Sequence, residues 1–468
     1  MGGDLWRKSA VELASDIRER KVSSREVVEA HLQRIAEVNP QINAIVRVLA
    51  DEAMAGAAAA DAATARGDVL GALHGVPITV KANIDMKGLP TTQGVPALAE
   101  AVPDIDAPIV EKMRAAGAIP IARTNLPDLG LRVHTDSTLY GRTKNPWNLD
   151  RTAGGSSGGE AAALATGMSP LGLGNDIGGS LRNPAHCCGI ASIKPTTGVI
   201  ADAQKFPVED IGLSAQLMQT QGVMARRVAD VRAGLQVVMG AHPRDPISVP
   251  ARLTDLAPGQ KLRVAVMAEP PGGSTHPEIA AVVRRAGDAL ANAGHSVTET
   301  NPPDFELAGE VWATQLNGEL LLQWPMLEMV VGEGGMKFLS LCREIMPDPN
   351  MAMWANAQAQ RNGIGRRWGL WFESFDVLLC PVWTQPPFVF DADIKDKAGA
   401  AATLELIRSV LPGNLLGLPC VVVPAGMAGG MPAGVQVIGG RFTDLRCLAI
   451  AEQIETSCGL ATPIDPVK

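Results

Sequence analysis

Two serine-containing turns and one lysine inside an apolar run are the features of this sequence best suited to nucleophilic chemistry. Lys81 is the only charged residue in the run VPITVKANI. Ser156 and Ser157 lie in the run GGSSGG, and Ser180 follows two glycines in DIGGSLR. A serine hydroxyl attacks a carbonyl carbon efficiently only when a base removes its proton, and a buried, neutral lysine can be that base. The sequence therefore offers a nucleophile, a base and glycine-rich turns.

Each of these features also has an ordinary structural interpretation when it is taken alone. Lys81 can extend from the end of a strand into solvent, because a lysine stem covers apolar surface while its ammonium group stays hydrated. The GGSSGG run can be a flexible surface loop, although the EAAALA sequence after it predicts a helix whose N-terminus favours anions. The glycines before Ser180 can form a simple turn, or they can point N–H groups inward as an oxyanion hole.

Taken together, the three features resemble the amidase signature family. The resemblance spans roughly residues 5 to 460, is densest from 70 to 200 and is sparsest from 245 to 375. Ala153 departs from it, because the family usually has proline before GGSSGG. The other matching motifs are TN at 124–125, T-x-NP at 143–146, CG at 188–189, KPT at 194–196 with Gly198, Asn414, GLP at 417–419 and GVQ at 434–436.

The resemblance implies a role for each matching residue. Ser180 is expected to be the nucleophile that carries the acyl group, and Lys81 the terminal base. Ser156 is expected to relay the proton between them, after a cis peptide bond to Gly155. The expected oxyanion hole consists of the backbone N–H groups of Ile177, Gly178, Gly179 and Ser180. The expected supporting hydrogen-bond partners are Ser157, Asp176 and Arg182.

The surrounding sequence predicts the elements that position these residues. The first 65 residues read as helical, with a capping box from Ser23 to Glu26 and an alanine-rich helix over 50–66. Beyond them, strands alternate with helices, which predicts a three-layer α/β/α sandwich around a mixed, largely parallel sheet. Strands are expected at 76–80, 119–122, 262–267, 295–299, 377–380 and 420–423, helices at 107–116 and 277–293, and a connector at 240–260.

We expect one amidase domain over residues 1–468, in which 1–65 is the helical part and 66–240 the catalytic core. The segment 310–385 holds six of the eight tryptophans and is rich in methionine. These residues can simply fill a core, or they can form a pocket for bulky apolar or aryl substrates. On the second interpretation, 310–385 is the divergent substrate-pocket segment, and its tentative pocket residues are Trp312, Trp324 and Trp383.

Composition limits the partners of the protein. A net charge of -8 gives no electrostatic footprint for nucleic acid. Seven cysteines without C-x-x-C spacing predict free, buried thiols, no zinc site and a reducing compartment. The N-terminus lacks the apolar core of a signal peptide, and we expect no membrane span, no cofactor, a cytoplasmic location and a homodimer as an option. His74, His134 and His186 are expected to be supporting or surface residues.

These observations predict a serine amidase that cleaves amide-type C–N bonds of linear, non-peptide substrates, with bulky apolar or aryl amides preferred. One alternative is a carbamate hydrolase with the same mechanism. Another is an amidotransferase subunit that acts on glutamine in a complex, for which Arg361, Arg366 and Arg367 are candidate carboxylate ligands. Ser157 also fits the G-x-S-x-G nucleophile elbow, but the polar run NPWNLDRTA before it predicts no strand there. An inactive binding module is disfavoured, because all three catalytic positions are intact.

Overall fold

Fifteen α-helices and fifteen β-strands follow one another in the part of the chain that this computed structural model describes, residues 4–253, 255–346, 348–459 and 462–467. The helices are α1 (Ala10–Arg18), α2 (Ser24–Ile42), α3 (Ala50–Arg66), α4 (Pro108–Ala115), α5 (Gly158–Ala165), α6 (Arg182–Cys188), α7 (Leu213–Met218), α8 (Val228–Val238), α9 (Pro277–Asn292), α10 (Phe305–Val330), α11 (Glu333–Ile345), α12 (Met351–Trp371), α13 (Lys397–Leu406), α14 (Leu411–Leu415) and α15 (Asp444–Cys458). The strands are β1 (Ile45–Val48), β2 (Pro77–Lys81), β3 (Ile119–Thr124), β4 (Asp136–Ser137), β5 (Gly141–Arg142), β6 (Lys144–Asn145), β7 (Asn148–Thr152), β8 (Leu171–Asp176), β9 (Ala191–Lys194), β10 (Thr220–Ala225), β11 (Arg263–Val266), β12 (Ser296–Glu299), β13 (Val377–Pro381), β14 (Cys420–Ala428) and β15 (Met431–Gly439).

Eleven of these strands form one sheet in the order β1-β3-β2-β8-β10-β9-β14-β15-β13-β11-β12. Parallel pairing joins β3, β2 and β8 near one end and β13, β11 and β12 at the other. The strands between them pair antiparallel, as β1 does with β3. The expected mixed sheet is confirmed, with fewer parallel pairs than its sequence pattern predicted. The difference arises because buried antiparallel and parallel strands both read as continuous apolar runs.

Strand side chains alternate between two hydrophobic layers. In β13, Val377 and Leu379 join one cluster while Leu378 and Cys380 join the other. This follows from the period of two along a strand, which sends successive side chains to opposite faces. Helices α1, α4, α8, α9 and α15 contribute to the first cluster, and α2, α3, α5, α6, α10, α12 and α14 to the second. The expected three-layer α/β/α arrangement is confirmed.

The N-terminal part contains one strand that its sequence pattern did not predict. The capping box of α2 is present, with Glu26 bonded to the Ser23 N–H, and α3 spans the expected residues. Between them, β1 pairs antiparallel with β3 and extends the sheet by one strand. Asn43 ends α2 at a φ of 55°, a left-handed conformation that asparagine tolerates, and turns the chain towards β1. In the described residues, every helix is too short or too polar to cross a bilayer.

Candidate active site

Lys81 is the last residue of β2, between β3 and β8, and its side chain is fully buried. The alternative of a lysine that extends into solvent therefore does not apply. Its Nζ lies 2.7 Å from Ser156 Oγ and 2.9 Å from Asn175 Oδ1. Burial disfavours the charged ammonium form and lowers the pKa of Lys81 to about 7, against the carboxylates of Asp176 and Glu160, which raise it. A substantial fraction of Lys81 is therefore neutral near pH 7.

Asn175 takes part in this contact, although its sequence pattern did not indicate a role. It lies in β8, directly before Asp176, and its Oδ1 accepts from Lys81 Nζ and from Asn83 Nδ2 at 3.2 Å. An amide oxygen is only an acceptor, so Asn175 takes one hydrogen of Lys81. When Lys81 is neutral, its lone pair is then left for the other neighbour, the Ser156 hydroxyl. The only sequence signal was a polar residue at the end of an apolar strand.

The GGSSGG run is packed inside the protein, not exposed as a flexible loop. Ser156 is 2% exposed, and the Gly155–Ser156 peptide bond is cis, as the resemblance implies. A Cβ at residue 155 would lie 2.7 Å from the Arg132 carbonyl oxygen, so only glycine fits against this neighbouring backbone. The run leads into α5, as the EAAALA sequence predicted. The loop is therefore a rigid mount for Ser156.

Ser180 stands in the turn that follows β8. Its carbonyl oxygen accepts from the Ser157 N–H at 3.2 Å, which ties this turn to the GGSSGG loop. The Ser157 hydroxyl itself is buried and has no hydrogen-bond partner in the described part of the chain. Ser180 lines a cavity of about 1010 Å³, together with Asn175, Ile177 and other residues. The backbone of Ser157, and not its side chain, supports Ser180.

Asp176 and Arg182 form a buried pair that holds the Ser180 turn in place. Arg182 Nη2 lies 2.9 Å from Asp176 Oδ1, and Nε lies 3.0 Å from Oδ2. Arg182 also donates to Gln436 at 2.6 Å, and Asn414 donates to Asp176 at 2.9 Å. Burial alone would raise the pKa of Asp176, but the Arg182 guanidinium beside it holds that pKa well below the usual range. The carboxylate therefore stays charged and keeps its hydrogen bonds.

The turn provides three free N–H groups in place of the four that were expected for an oxyanion hole. The Gly179 N–H donates to Asp176 Oδ1 at 2.8 Å and is therefore occupied. Among the hydrogen bonds of the described residues, none uses the N–H of Ile177, Gly178 or Ser180. Gly179 is thus a correction to the sequence-based assignment. Its N–H is used because the Asp176 carboxylate folds back over the turn that begins beside it.

Trp312 packs directly on this turn from α10. Its indole Nε1 donates to the Ile177 carbonyl oxygen at 2.8 Å. A Cβ at residue 178 would lie 2.7 Å from the ring atom Cζ2 of Trp312, so glycine is required at that position. The hydrogen bond holds the peptide group between Ile177 and Gly178, and with it the orientation of the Gly178 N–H. Trp312 also lines the cavity, as expected.

Trp324 and Trp383 lie elsewhere, which corrects their tentative assignment to the pocket. Trp383 is fully buried, donates to Asn183 Oδ1 at 2.9 Å and stacks on Phe388 at 5.6 Å between ring centroids. Trp324 donates to Glu328 at 2.9 Å and lies under the Arg343 guanidinium. Neither residue lines the cavity. Enrichment in tryptophan did not indicate which side of each element faces the site.

The segment 310–385 contributes one face each of α10 and α11 to the cavity. On α10 these residues recur three to four positions apart, as one helix face requires. Met346, just after α11, is the methionine among the lining residues that the structure describes. The lining residues of this segment are Trp312, Leu316, Asn317, Glu319, Leu320, Gln323, Phe338, Leu339, Cys342 and Met346. The pocket interpretation therefore applies to this smaller set.

The opposite wall comes from residues 202–212 and 244–247, whose sequence gave no indication that they line the site. The first of these runs is held to the core by side chains near β2. The Asp85 N–H donates to Gln204 Oε1 at 3.1 Å, and Gln93 Nε2 donates to the Phe206 carbonyl at 3.1 Å. Irregular segments of this kind have no hydrophobic period, so their position cannot be read from sequence.

Glu160 is a second functional candidate that was not predicted from the sequence. It lies in the first turn of α5, is fully buried, and accepts hydroxyl hydrogen bonds from Thr79 and from Thr124 at 2.8 Å. Burial raises the pKa of Glu160 to about 7. Lys81 and Glu160 interact electrostatically, so their titrations are coupled. A charged residue directly after GGSSGG was the available signal.

The three histidines His74, His134 and His186 stand away from the cavity. His74 contacts the Ala60 carbonyl oxygen, and burial lowers the pKa of His134 and of His186, the latter to about 4. In the described chain, one group, His134 with Asp136 and Asp391, brings metal-ligand atoms within 4.8 Å of one another. Its positive charge already comes from Arg142, which bridges both carboxylates at 3.1 and 2.6 Å. This group is an ion-pair network beside the GGSSGG loop.

The nucleophile-elbow alternative fails at Ser157. The expectation of no strand before it was wrong, because β7 ends at Thr152, but β7 pairs only with the short β6 in a separate sheet. Ser157 is fully buried and does not line the cavity, whereas Ser180 does. A nucleophile has to reach its substrate, so the position of Ser180 is the suitable one.

Comparison with known proteins agrees with this geometry. The Amidase family model matches residues 26–448. An indoleacetamide hydrolase from Bradyrhizobium diazoefficiens is 41% identical over 460 residues, 98% of this chain and 88% of that protein. An acylamidase from Rhodococcus erythropolis is 33% identical, with 96% of this chain and 94% of that protein covered. The corresponding subunit of a glutamyl-tRNA(Gln) amidotransferase from Salinispora arenicola is 32% identical, with 98% and 99% covered.

Among solved structures, a bacterial aryl acylamidase of the amidase signature family superposes with a TM-score of 0.83, at 27% identity and 96% coverage of both chains. The fold and the relatives define an enzyme that hydrolyses amide C–N bonds. The chain belongs to the amidase signature family.

Proposed function

We propose that this amidase hydrolyses primary amides of bulky apolar or aryl-bearing acids, with Ser180 as nucleophile, Ser156 as relay and Lys81 as base. The observation that carries the proposal is the 2.7 Å contact between Lys81 Nζ and Ser156 Oγ, next to a cavity of about 1010 Å³. A buried lysine that contacts a serine hydroxyl has no hydrated environment in which to keep its charge. This pair is therefore suited to proton transfer.

In the proposed reaction, Ser180 Oγ attacks the amide carbonyl carbon and gives its proton to Ser156, which passes its own proton to neutral Lys81. The negative oxygen of the tetrahedral intermediate accepts from the N–H groups of Ile177, Gly178 and Ser180. The proton returns through Ser156 to the leaving nitrogen, the C–N bond breaks, and the acyl group remains on Ser180. Water, deprotonated by the same relay, then releases the acid and restores the enzyme.

The cavity wall supports the proposed substrate class. Trp312, Leu316, Leu320, Phe338 and Leu339 give it a broad apolar surface, which favours a planar or branched apolar group. An arylacetamide such as indole-3-acetamide, the substrate in the name of the 41% identical relative, suits this surface. Acetamide leaves most of it uncovered. Since one methylene contributes only about 1–3 kcal/mol in an apolar pocket, we expect broad selectivity.

The experiment is a hydrolysis panel with the purified protein alone. It compares kcat/KM for indole-3-acetamide, phenylacetamide, acetamide, an anilide, an aryl carbamate and glutamine. We expect the arylacetamides to exceed acetamide by at least about tenfold, because the apolar contacts are additional. A preference for acetamide or glutamine would refute the proposal.

Two alternatives with different substrates are measured in the same panel. A carbamate presents the same carbonyl to Ser180, so the aryl carbamate is expected to react at a different rate by the same acyl-enzyme route. The amidotransferase alternative has less support. Arg361 donates to the Leu415 carbonyl and Arg367 pairs with Asp304, and neither they nor Arg366 line the cavity. Activity without a partner would separate a free hydrolase from a member of a complex.

A single domain, a cytoplasmic location and a homodimer remain predictions. The location is supported by the cysteines, all seven of which are free and six of which are buried. Light scattering of the purified protein would test the dimer, and fractionation of cells that express it would test the location.

A further inference from the structure

The cavity carries more negative than positive groups. Most of them lie on the wall formed by residues 202–212 and 244–247, opposite the apolar faces of α10 and α11. Among the described lining residues, the acidic ones are Asp104, Asp202, Glu209, Asp210, Asp245 and Glu319, and the basic ones are Arg132, Lys205 and Arg244. A charge imbalance in a cavity with low-dielectric walls acts on any charged ligand that enters it.

Each of the three basic residues already has a carboxylate partner. A guanidinium or ammonium group that is held in an ion pair gives an entering anion little further attraction. The pairs are Arg132 with Asp393 at 2.5 Å, Arg244 with Glu111 at 2.5 Å, and Lys205 with Asp104 at 2.7 Å. The described lining therefore offers no uncommitted cation for a substrate carboxylate.

Glu319 brings one of the negative charges to the apolar wall. It lies on the same face of α10 as Trp312, seven residues and so about 10 Å further along the helix axis. Its Oε1 accepts from the Ser214 N–H at 2.7 Å, a neutral donor that leaves the charge in place. On the opposite wall, buried Asp245 accepts from the N–H groups of Asp202 and Ile247, both at 2.9 Å.

We propose that this cavity selects substrates by charge: it accepts neutral and cationic amides and rejects amides that carry a carboxylate. An anionic substrate would lose hydration and face Glu319 and Asp245 without a free cation to compensate. The inference rests on the proposed function, in which a neutral amide and water give a carboxylate and an ammonium ion. The same field then disfavours the acid product, so substrate entry and product release are both served.

The test uses three phenylacetamides that differ only in a planar group at the 4-position. The nitro compound is neutral, the carboxylate compound has nearly the same shape with a negative charge, and the amidino compound is positive. We expect kcat/KM for the carboxylate to be at least about tenfold below that for the nitro compound, because like charges are brought together. The amidino compound should react at least as well as the nitro compound.

Glu319→Gln, with Glu310→Gln as its control, assigns the effect to the cavity. Glu310 lies on α10 as well, is exposed and does not line the cavity. We expect Glu319→Gln to raise the carboxylate-to-nitro ratio about threefold or more, and Glu310→Gln to leave it unchanged. Raising NaCl from about 0.05 to 0.5 M should also raise the ratio, since salt screens exposed charges.

The outcomes separate the two proposals. If the nitro compound is itself not hydrolysed, the proposed function fails, and the charge selection with it. If the nitro and carboxylate compounds are hydrolysed at equal rates, only the charge selection fails. It also fails if Glu310→Gln changes the ratio as much as Glu319→Gln does, because the effect would then come from overall charge.

Discussion

The serine–lysine network and the helical wall of the cavity are held in place by different means. Lys81, Ser156 and Asn175 sit at strand ends or in tight turns, and their polar atoms contact one another inside the sheet layer. Trp312 and Phe338 project from helices that reach the site only through one face. Polar contacts of the first kind depend on each partner, whereas apolar contacts of the second kind can be exchanged at modest cost. We therefore expect changes in the network to affect the rate, and changes in the wall to affect the choice of substrate.

The largest effect should come from Ser180→Ala. We expect at least about a 10⁴-fold loss of kcat, because no acyl-enzyme can form. Labelling by a fluorophosphonate, measured by intact-protein mass spectrometry, should disappear as well. Ser157→Ala is the matched control, since its hydroxyl has no partner in the described chain and should be dispensable. Labelling that survives Ser180→Ala and is lost in Ser157→Ala would reverse the assignment.

The next largest effect should come from Lys81→Met, which keeps the apolar stem and removes the base. We expect about a 10³-fold loss of kcat/KM on amides, and a smaller loss on activated esters, whose leaving group needs no proton. In the wild type, only neutral Lys81 accepts a proton and its pKa is lowered to about 7, so kcat/KM should rise with pH through that value. A profile that stays flat from pH 6 to 9 with chemistry rate-limiting would contradict the role of Lys81.

Glu160→Gln should move this pH profile and have little effect on the plateau. The Glu160 carboxylate raises the pKa of Lys81, so its removal should shift the midpoint of kcat/KM to lower pH. At pH 6 the variant should keep a larger fraction of its plateau activity than the wild type does. Glu37→Gln, on the exposed side of α2, is the control. A shift to higher pH in Glu160→Gln would mean that the carboxylate does not act on Lys81.

Trp312→Phe should have the smallest effect and connects the two regions. The variant keeps a ring against the turn and loses the hydrogen bond to Ile177, worth about 1 kcal/mol, so kcat should fall about fivefold. Because the apolar surface is largely kept, KM for phenylacetamide should change less than kcat. Trp324→Phe, outside the cavity, should match the wild type. If Trp312→Phe raised KM and left kcat unchanged, Trp312 would serve the substrate alone.

The sequence predicted the residues of the network better than those of the wall. Lys81 and Ser180 stood out because a lysine in an apolar run and a serine after two glycines break local rules. Asn175 and Glu160 break none, and their roles depend on contacts such as Lys81 with Asn175, 94 positions apart. Trp324 and Trp383 were misassigned because composition does not show which helix face points inward. Strand β1 was missed for a similar reason, since four residues are too few to set a period.

The hydrogen bonds of Arg182 have a consequence for the order in which the protein is made. Arg182 donates to Gln436 in β15, and Asn414 donates to Asp176, so the turn that holds Ser180 is completed by residues more than 230 positions later. A nascent chain can place Lys81 and Ser156 long before these partners leave the ribosome. The nucleophile turn is then complete only after almost the whole polypeptide has been translated, and hydrolytic activity should be among the last properties that the newly synthesised protein acquires.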